Sequence, residues 1–292
     1  MDAKLRIIFS MTAFGTISIF VKNIALSSGE IALFRALTAA VVIIIYKIII
    51  GKKLSLSDIK KDLPALFVSG MAMGINWILL FQAYKYTTVS IATLSYYFAP
   101  VIVTAVSPIL FKEKLTIKQL VCFVMATIGL VLVIDVRGMG KDASSFIGIG
   151  FGLGAAVLYA TVILLNKYIK NVSGIDKTLI QFFAAIIVLI PYVLTTTGIN
   201  IGSLTNSGII NLLILGIFHT GICYCLYFSA LNDLKGQEVS ILSYIDPLVA
   251  IIVSVTILGE PILAIQILGG ILILGFTLLN EIELKSKIRI KE

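Results

Sequence analysis

Tyr97-Phe98-Ala99-Pro100-Val101-Ile102-Val103-Thr104-Ala105-Val106-Ser107-Pro108-Ile109-Leu110-Phe111-Lys112-Glu113 has a second version in the chain, Tyr244-Ile245-Asp246-Pro247-Leu248-Val249-Ala250-Ile251-Ile252-Val253-Ser254-Val255-Thr256-Ile257-Leu258-Gly259-Glu260. The shared Tyr, Pro, Val, Ser and Glu keep one shift of 147 residues, from Pro100 to Pro247 and from Glu113 to Glu260. Continued without gaps, that shift pairs Leu66 with Leu213, Gly74 with Gly221, Phe81 with Phe228, Ala83 with Ala230 and Gln119 with Gln266. Twelve positions between 66 and 119 are identical in all, against about four expected by chance in so apolar a chain. The chain is a tandem duplication.

The material on both sides of the repeated stretch is apolar. Of 292 residues, 59% are hydrophobic and 13% charged, with a mean hydropathy of +1.08. Soluble domains are about 45–50% apolar and about 25% charged, so an ordinary soluble protein is excluded. A helix needs about 20 apolar residues to cross the hydrocarbon core, and runs of that length recur throughout. Strands of an outer-membrane barrel would be shorter and would alternate apolar with polar. The expected fold class is an all-α membrane protein. Ten spans are expected, near 5–21, 31–50, 64–84, 88–109, 117–134, 146–166, 177–197, 208–231, 236–258 and 262–280. The duplication divides them into two five-helix repeats, 1–140 and 141–292. Five is odd, so the second repeat enters the membrane from the opposite side and the halves are inverted. Inverted repeats are the architecture of secondary transporters, with a substrate site near the midplane and alternating access. The longest connections, 51–63 and 135–145, leave no room for a soluble catalytic domain.

Lys4 and Arg6 precede an apolar stretch as in a secretory signal, but no convincing small-residue cleavage site follows, so the first span reads as uncleaved. The net charge of +8 is explained by orientation rather than by nucleic acid. With the N-terminus in the cytoplasm, eighteen of the 23 Lys and Arg lie inside, Lys22, Lys85, Arg137 and Lys141 lie outside, and Arg35 lies within the second span. The pattern predicts a multi-pass protein of a cell inner membrane with both termini cytoplasmic.

Phe34-Arg35-Ala36 in the second span, Tyr97-Phe98-Ala99-Pro100 in the fourth, Glu113, and the echo Tyr244-Ile245-Asp246-Pro247 with Gly259-Glu260-Pro261 together resemble the EamA family of the drug/metabolite transporter superfamily. The resemblance covers nearly the whole chain. It implies a ten-helix carrier of small metabolites, often an exporter of amino acids or related compounds. It further implies alternating access around a cavity bounded by spans 1, 3, 4, 6, 8 and 9, and it names no substrate. Where the first half carries Arg35 the second carries Gln181, so any role of this Arg belongs to one side of the membrane.

Pro100 and Pro247 fall near the middle of spans 4 and 9, where each removes a backbone hydrogen bond; they are either paired hinges or static kinks. Asp246 is an acid at a helix centre, which costs about 2.5–3.5 kcal/mol on insertion scales and marks a functional position by default. Its repeat mate is Ala99, so the duplication does not require it. His219 and Asn76 share its expected depth, with Ala72 and Cys223 as mates. Asp246 and His219 are therefore candidates for a polar centre that binds an amine or zwitterion, or that titrates to couple export to protons; the alternative is a hydrogen bond between helices. Tyr96, Tyr97, Tyr159 and Tyr244 lie within spans rather than in the interfacial belts, where they either line a substrate pocket or pack symmetrically. Trp77, beside Asn76, could stack on substrate or fill the core. Arg35 is read as a charge at the outer mouth that attracts anions, or as a side chain that snorkels and pairs with Glu30. Glu113 and Glu260 are read as structural, capping the next helix or pairing with a local Lys.

Gly148 to Gly154 alternates glycine without the dinucleotide-loop spacing and without a preceding strand. With Gly70 and Gly74 it reads instead as close helix packing. Cys122, Cys223 and Cys225 are odd in number and make no disulfide framework. Cys223 and His219 share a helix face but are too few for a metal site. No cofactor, metal or nucleotide-binding motif is found, and the chain reads as a non-enzyme whose partners are the lipid bilayer and a small-molecule substrate. A homodimer is compatible with this reading. A sugar-phosphate or nucleotide-sugar exchanger is the rival, disfavoured because only Arg35 lies within a span. A membrane-embedded enzyme would need converging acids or a nucleophile and base, and Asp246 has only Glu238 two turns earlier on its helix.

Overall fold

The computed structural model describes residues 2–51, 56–111, 116–134, 143–169, 172–231, 233–234 and 236–282. Among them the chain is helical and has no strand. The helices are α1 (Ala3–Gly15), α2 (Ile17–Lys22), α3 (Ser28–Ile50), α4 (Leu56–Tyr86), α5 (Val89–Tyr96), α6 (Ala99–Phe111), α7 (Ile117–Ile134), α8 (Ala143–Tyr168), α9 (Gly174–Thr196) and α10 (Asn206–Leu213). A π-helical stretch (Ile214–Ile222) leads into α11 (Cys223–Leu231), followed by α12 (Gly236–Ser243), α13 (Ile245–Thr256) and α14 (Ala264–Glu281).

Among the described residues, eight helical runs are long and apolar enough to cross a membrane, from Ala3–Lys22 to Asn206–Leu231, and two apolar helices, Ile241–Thr256 and Ala264–Asn280, are shorter. The ninth expected span falls short because its helix is divided at Tyr244 and ends before the left-handed turn at Gly259, where φ is +64°. Ile48, Ile49, Ile109 and Ile117 stay exposed on the outside of the bundle, as side chains that meet lipid rather than water should. The multi-pass membrane character expected from composition is thus carried by the fold.

Local chemistry sets the helix starts. Ser27 opens α3 with a capping box, its hydroxyl accepting from the Glu30 amide while Glu30 returns to the Ser27 amide. Thr88, Ser173 and Thr205 accept backbone amides at the starts of α5, α9 and α10. The main apolar core runs between α3, α4 and α9 through Ile31, Ala36, Ile43, Phe81, Phe182 and Leu189. Small residues let these helices approach. A Cβ on Gly74 would stand 3.1 Å from that of Ala185 on α9, and one on Gly129 of α7 would stand 2.8 Å from that of Leu272 on α14.

Two discontinuities matter for the site. Helices α5 and α6 are separated at Tyr97 and Phe98, and α12 and α13 at Tyr244. At both breaks the backbone tightens, with Phe98 bonding back to Ser95 and Tyr244 back to Ile241. Pro100 and Pro247 lie just beyond the breaks, in the first turns of α6 and α13. This corrects the mid-helix reading of both: a first-turn proline has no intrahelical amide bond to lose. The interruption sits one turn earlier than the prolines, at the tyrosines. The second irregularity is the π-helical stretch, a feature that recurs at functional sites. There Thr220 donates to the Leu215 carbonyl at 2.9 Å, five residues back.

Candidate functional site

The two breaks face one internal cavity of about 420 Å³. It is bordered by α1, α4, the α5–α6 break, α8, α11 and the α12–α13 break, with Arg35 reaching in from α3. Its volume falls within the range of small-molecule sites, about 300–1,000 Å³. Eleven of the 29 residues that line it are aromatic, and two, Arg35 and Asp246, are charged.

Asp246 lies in the first turn of α13, where the helix dipole favours a negative charge. Tyr97, at the other break, donates its Oη proton to Asp246 Oδ2 at 2.5 Å. The Tyr97 ring meets Tyr96 edge-on, centroids 5.6 Å apart, and Tyr96 stacks on Tyr159 at 5.1 Å. The four tyrosines expected from the sequence, Tyr96, Tyr97, Tyr159 and Tyr244, all border the cavity, as do Asn76, Trp77, Asp246 and Pro100. Asn76 is buried and gives its side-chain amide to the Ala155 carbonyl at 2.6 Å, which ties α4 to α8 at the cavity wall.

Arg35 does not stand at an outer mouth. It lies two turns into α3 and is 4% exposed, with its side chain turned into the bundle. Its Nε donates to Thr220 Oγ1 at 2.6 Å, and its guanidinium carbon lies 4.5 Å from the centre of the Trp77 ring. A desolvated cation over an indole face is worth about 2 kcal/mol. Trp77 is therefore a seat for the Arg35 cation and also packs edge-on against Phe182. The expected pairing with Glu30 is absent because Glu30 is occupied by its own cap and by the Asn200 amide at 2.6 Å. Among the described residues neither Arg35 nor Asp246 has an ion-pair partner.

His219 is not brought to Asp246. It is 1% exposed, does not border the cavity, and lies within hydrogen-bond distance of Thr16 Oγ1 (3.0 Å) and the Ile214 carbonyl (3.2 Å). Phe20 and Phe218 pack on its ring. The Asp246–His219 polar centre expected from depth along the chain is therefore not formed.

Several cavity residues carried no signal in the sequence. Tyr84, Tyr224 and Tyr227 read as ordinary span aromatics, and Thr220, which holds Arg35 from behind the wall, as a small polar residue of a helix. Gln181, noted only as the counterpart of Arg35, and Asn166 border the end of the cavity nearest the ion pair of Lys47 with Asp176. There Gln181 bridges Ser69 Oγ at 2.6 Å and Asn166 Oδ1 at 2.8 Å. At the opposite end Glu260 gathers three elements. It forms an ion pair with Lys22, accepts from the Val89 amide at 2.7 Å and from Ser254 Oγ at 2.6 Å. It caps α5 rather than the helix that follows it, which corrects the local reading. Its repeat mate Glu113 lies outside the described residues.

Comparison with known proteins agrees with this architecture. The EamA-like transporter family matches the chain twice, over residues 3–135 and 146–281. A Bacillus subtilis (strain 168) protein named Uncharacterized transporter YxxF is 29% identical over 290 residues, 98% of this chain and 91% of that protein. An Uncharacterized transporter of Archaeoglobus fulgidus is 27% identical, covering 94% of each chain. Protein PecM of Dickeya dadantii is 26% identical, covering 88% of this chain and 84% of that one. A solved crystal structure shares the fold, with a TM-score of 0.65 at 16% identity over 94% of this chain and 96% of that chain. With two family matches spanning nearly all of a multi-pass helical chain, the protein belongs to the EamA-like transporter family.

Proposed function

We propose that this protein is a secondary transporter that exports a small metabolite, an amino acid or a related compound, by alternating access. The observation that carries the reading is the central cavity, in which one buried cation, Arg35, and one half-buried anion, Asp246, stand among aromatic rings without being paired to each other. Ten spans in two inverted five-helix repeats, 1–140 and 141–292, support this reading through the repeated stretch and the double family match. In the orientation given by the cationic loops, both termini are cytoplasmic in a cell inner membrane. The Lys22 and Glu260 end is then external and the Asn166 and Gln181 end internal.

In that orientation the external side is closed by Glu260, which holds α5, α13 and Lys22 together. The polar wall continues from Asp246 towards the cytoplasmic end, so this state loads substrate from inside. Asn76, Trp77, Tyr96, Tyr97, Tyr159, Tyr244, Arg35 and Asp246 are the substrate-facing residues. Pro100 and Pro247, next to the two breaks, are where the half-helices change angle as the halves rock. Asp246 is the group placed to exchange a proton with the cavity, while His219 secures α1 and α2 to the π-helical stretch. An exchanger of phosphorylated sugars is less favoured, because among the described residues Arg35 is the single cationic one on the cavity wall.

The test is a proteoliposome uptake screen over amino acids, amines, sugars and sugar phosphates, with and without a pH gradient. Saturable uptake of an amino acid or close relative is expected. Uptake confined to sugar phosphates in exchange for phosphate would replace this reading with the exchanger.

A further inference from the structure

The two unpaired charges of the cavity differ in how much of their hydrogen-bonding capacity the protein uses. Arg35 has one protein hydrogen bond, from Nε to Thr220, so its two terminal Nη groups have no acceptor among the described residues. They are not sealed in protein either, since the side chain borders the cavity. Asp246 accepts from Tyr97 through Oδ2, and its Oδ1 has no donor among the described residues. The two do not come within ion-pair distance of each other.

A guanidinium with both Nη groups open is a fork matched to a carboxylate. A carboxylate with one oxygen fixed and the other open is matched to an ammonium. Holding either charge inside the membrane without a partner is unfavourable, and a ligand carrying both opposite charges offsets both penalties at once. An amine alone leaves Arg35 uncompensated, and an anion alone leaves Asp246 uncompensated. Trp77 beneath the guanidinium and Tyr97 beside the aspartate hold the two groups in place, so little ordering remains when the ligand arrives.

We infer that Arg35 and Asp246 divide the recognition of one zwitterionic α-amino acid, Arg35 binding its carboxylate and Asp246, oriented by Tyr97, binding its α-ammonium. The side chain of the ligand then lies among the aromatic rings of the wall, with Tyr96 and Tyr159 on one side. This rests on the transport reading above and specifies which residue reads which end of the substrate. It also accounts for the asymmetry of the duplication. With the shift of 147 residues Arg35 and Asp246 fall opposite Phe182 and Ala99, so each charge occurs once and the site has one polarity.

The experiment is uptake and competition in proteoliposomes holding the full chain. The probes are the standard L-amino acids, their decarboxylated amines and their N-acetyl derivatives, with glucose and glycerol phosphate as uncharged and anionic controls. The wild type is expected to carry at least one amino acid, with its amine and its N-acetyl derivative poorer by about tenfold or more. Arg35→Gln should move the preference towards the amine, and Asp246→Asn towards the N-acetyl acid. Arg35→Lys and Asp246→Glu, which keep each charge, should retain the preference for the zwitterion and guard against variants that fail to fold. Equal transport of amine, N-acetyl acid and zwitterion by the wild type would overturn the assignment, as would variants that lose all three in proportion. Transport of only a control compound would overturn it while leaving the transport function standing; transport of none of the probes would remove both.

Discussion

Tyr97 and Asp246 meet across the two copies of the repeated stretch, the phenol of the first donating to the carboxylate of the second at 2.5 Å. The reciprocal contact cannot exist. Tyr244 is the repeat mate of Tyr97, but the mate of Asp246 is Ala99, which has nothing to accept with. A pair of symmetric helix breaks is thereby given one asymmetric polar contact in the cavity.

Removing that contact should weaken substrate binding without unfolding the protein. Hydrogen bonds to charged groups contribute about 1.5–3 kcal/mol. Tyr97→Phe keeps the ring against Tyr96 and is expected to raise the half-saturating substrate concentration by about tenfold. The matched variant Tyr244→Phe should change it far less. Initial uptake rates across a substrate series compare the two, and equal effects would mean that the asymmetry has no bearing on recognition.

Glu260 should control access from the Lys22 end. Glu260→Ala frees the Val89 amide, Ser254 and Lys22 together. A cysteine at Thr93, which borders the cavity one turn into α5, reports the change. In a chain with Cys122, Cys223 and Cys225 replaced by alanine, a membrane-impermeant thiol reagent applied to whole cells should label Thr93→Cys several-fold faster when Glu260→Ala is added. Unchanged labelling would assign Glu260 a purely structural part.

The π-helical stretch should be intolerant of added volume on its α3 face. A Cβ on Gly221 would stand 2.7 Å from the Val42 Cβ. Gly221→Ala is expected to cost about 1–3 kcal/mol through overpacking, lowering the melting temperature in detergent. Val42→Ala in the same chain should recover most of the loss, whereas Val42→Ala alone should cost less than the Gly221 change. Absence of rescue would place the strain elsewhere.

The ion pair of Lys47 with Asp176 holds α3 to α9 at the end opposite Glu260, with side chains 10% and 12% exposed. Leaving one partner of a buried pair behind costs about 3–5 kcal/mol. Lys47→Met or Asp176→Asn alone should therefore lower thermal stability markedly, while Lys47→Met combined with Asp176→Leu should recover much of it. A double variant as unstable as the two single changes together would indicate independent roles.

How much of this was legible in the sequence differs from element to element. The membrane class followed from composition, and the breaks were nearly located by Pro100 and Pro247, which follow them by a turn because proline is favoured where a helix starts. Depth along a helix was readable, but direction around it was not. Arg35, placed by its distance from the end of its span, turns inward because Trp77 and Thr220 await it there. His219, expected at the depth of Asp246, is instead taken up by Thr16 and the Ile214 carbonyl, in a π-helical stretch whose register no apolar periodicity announces. The hub at Glu260 was hidden for a different reason. Its partners Lys22 and Val89 are remote in the chain, and the local sequence offered only capping of the next helix or pairing with a nearby Lys.

The most direct measurement is counterflow: proteoliposomes preloaded with unlabelled amino acid are diluted into a trace of the same labelled compound. A carrier working by alternating access should accumulate label transiently above its equilibrium level, saturably, and the overshoot should vanish in Asp246→Ala. Label that only rises to equilibrium without saturation, or that is recovered as a different compound, would contradict the account, the first pointing to a channel and the second to an enzyme.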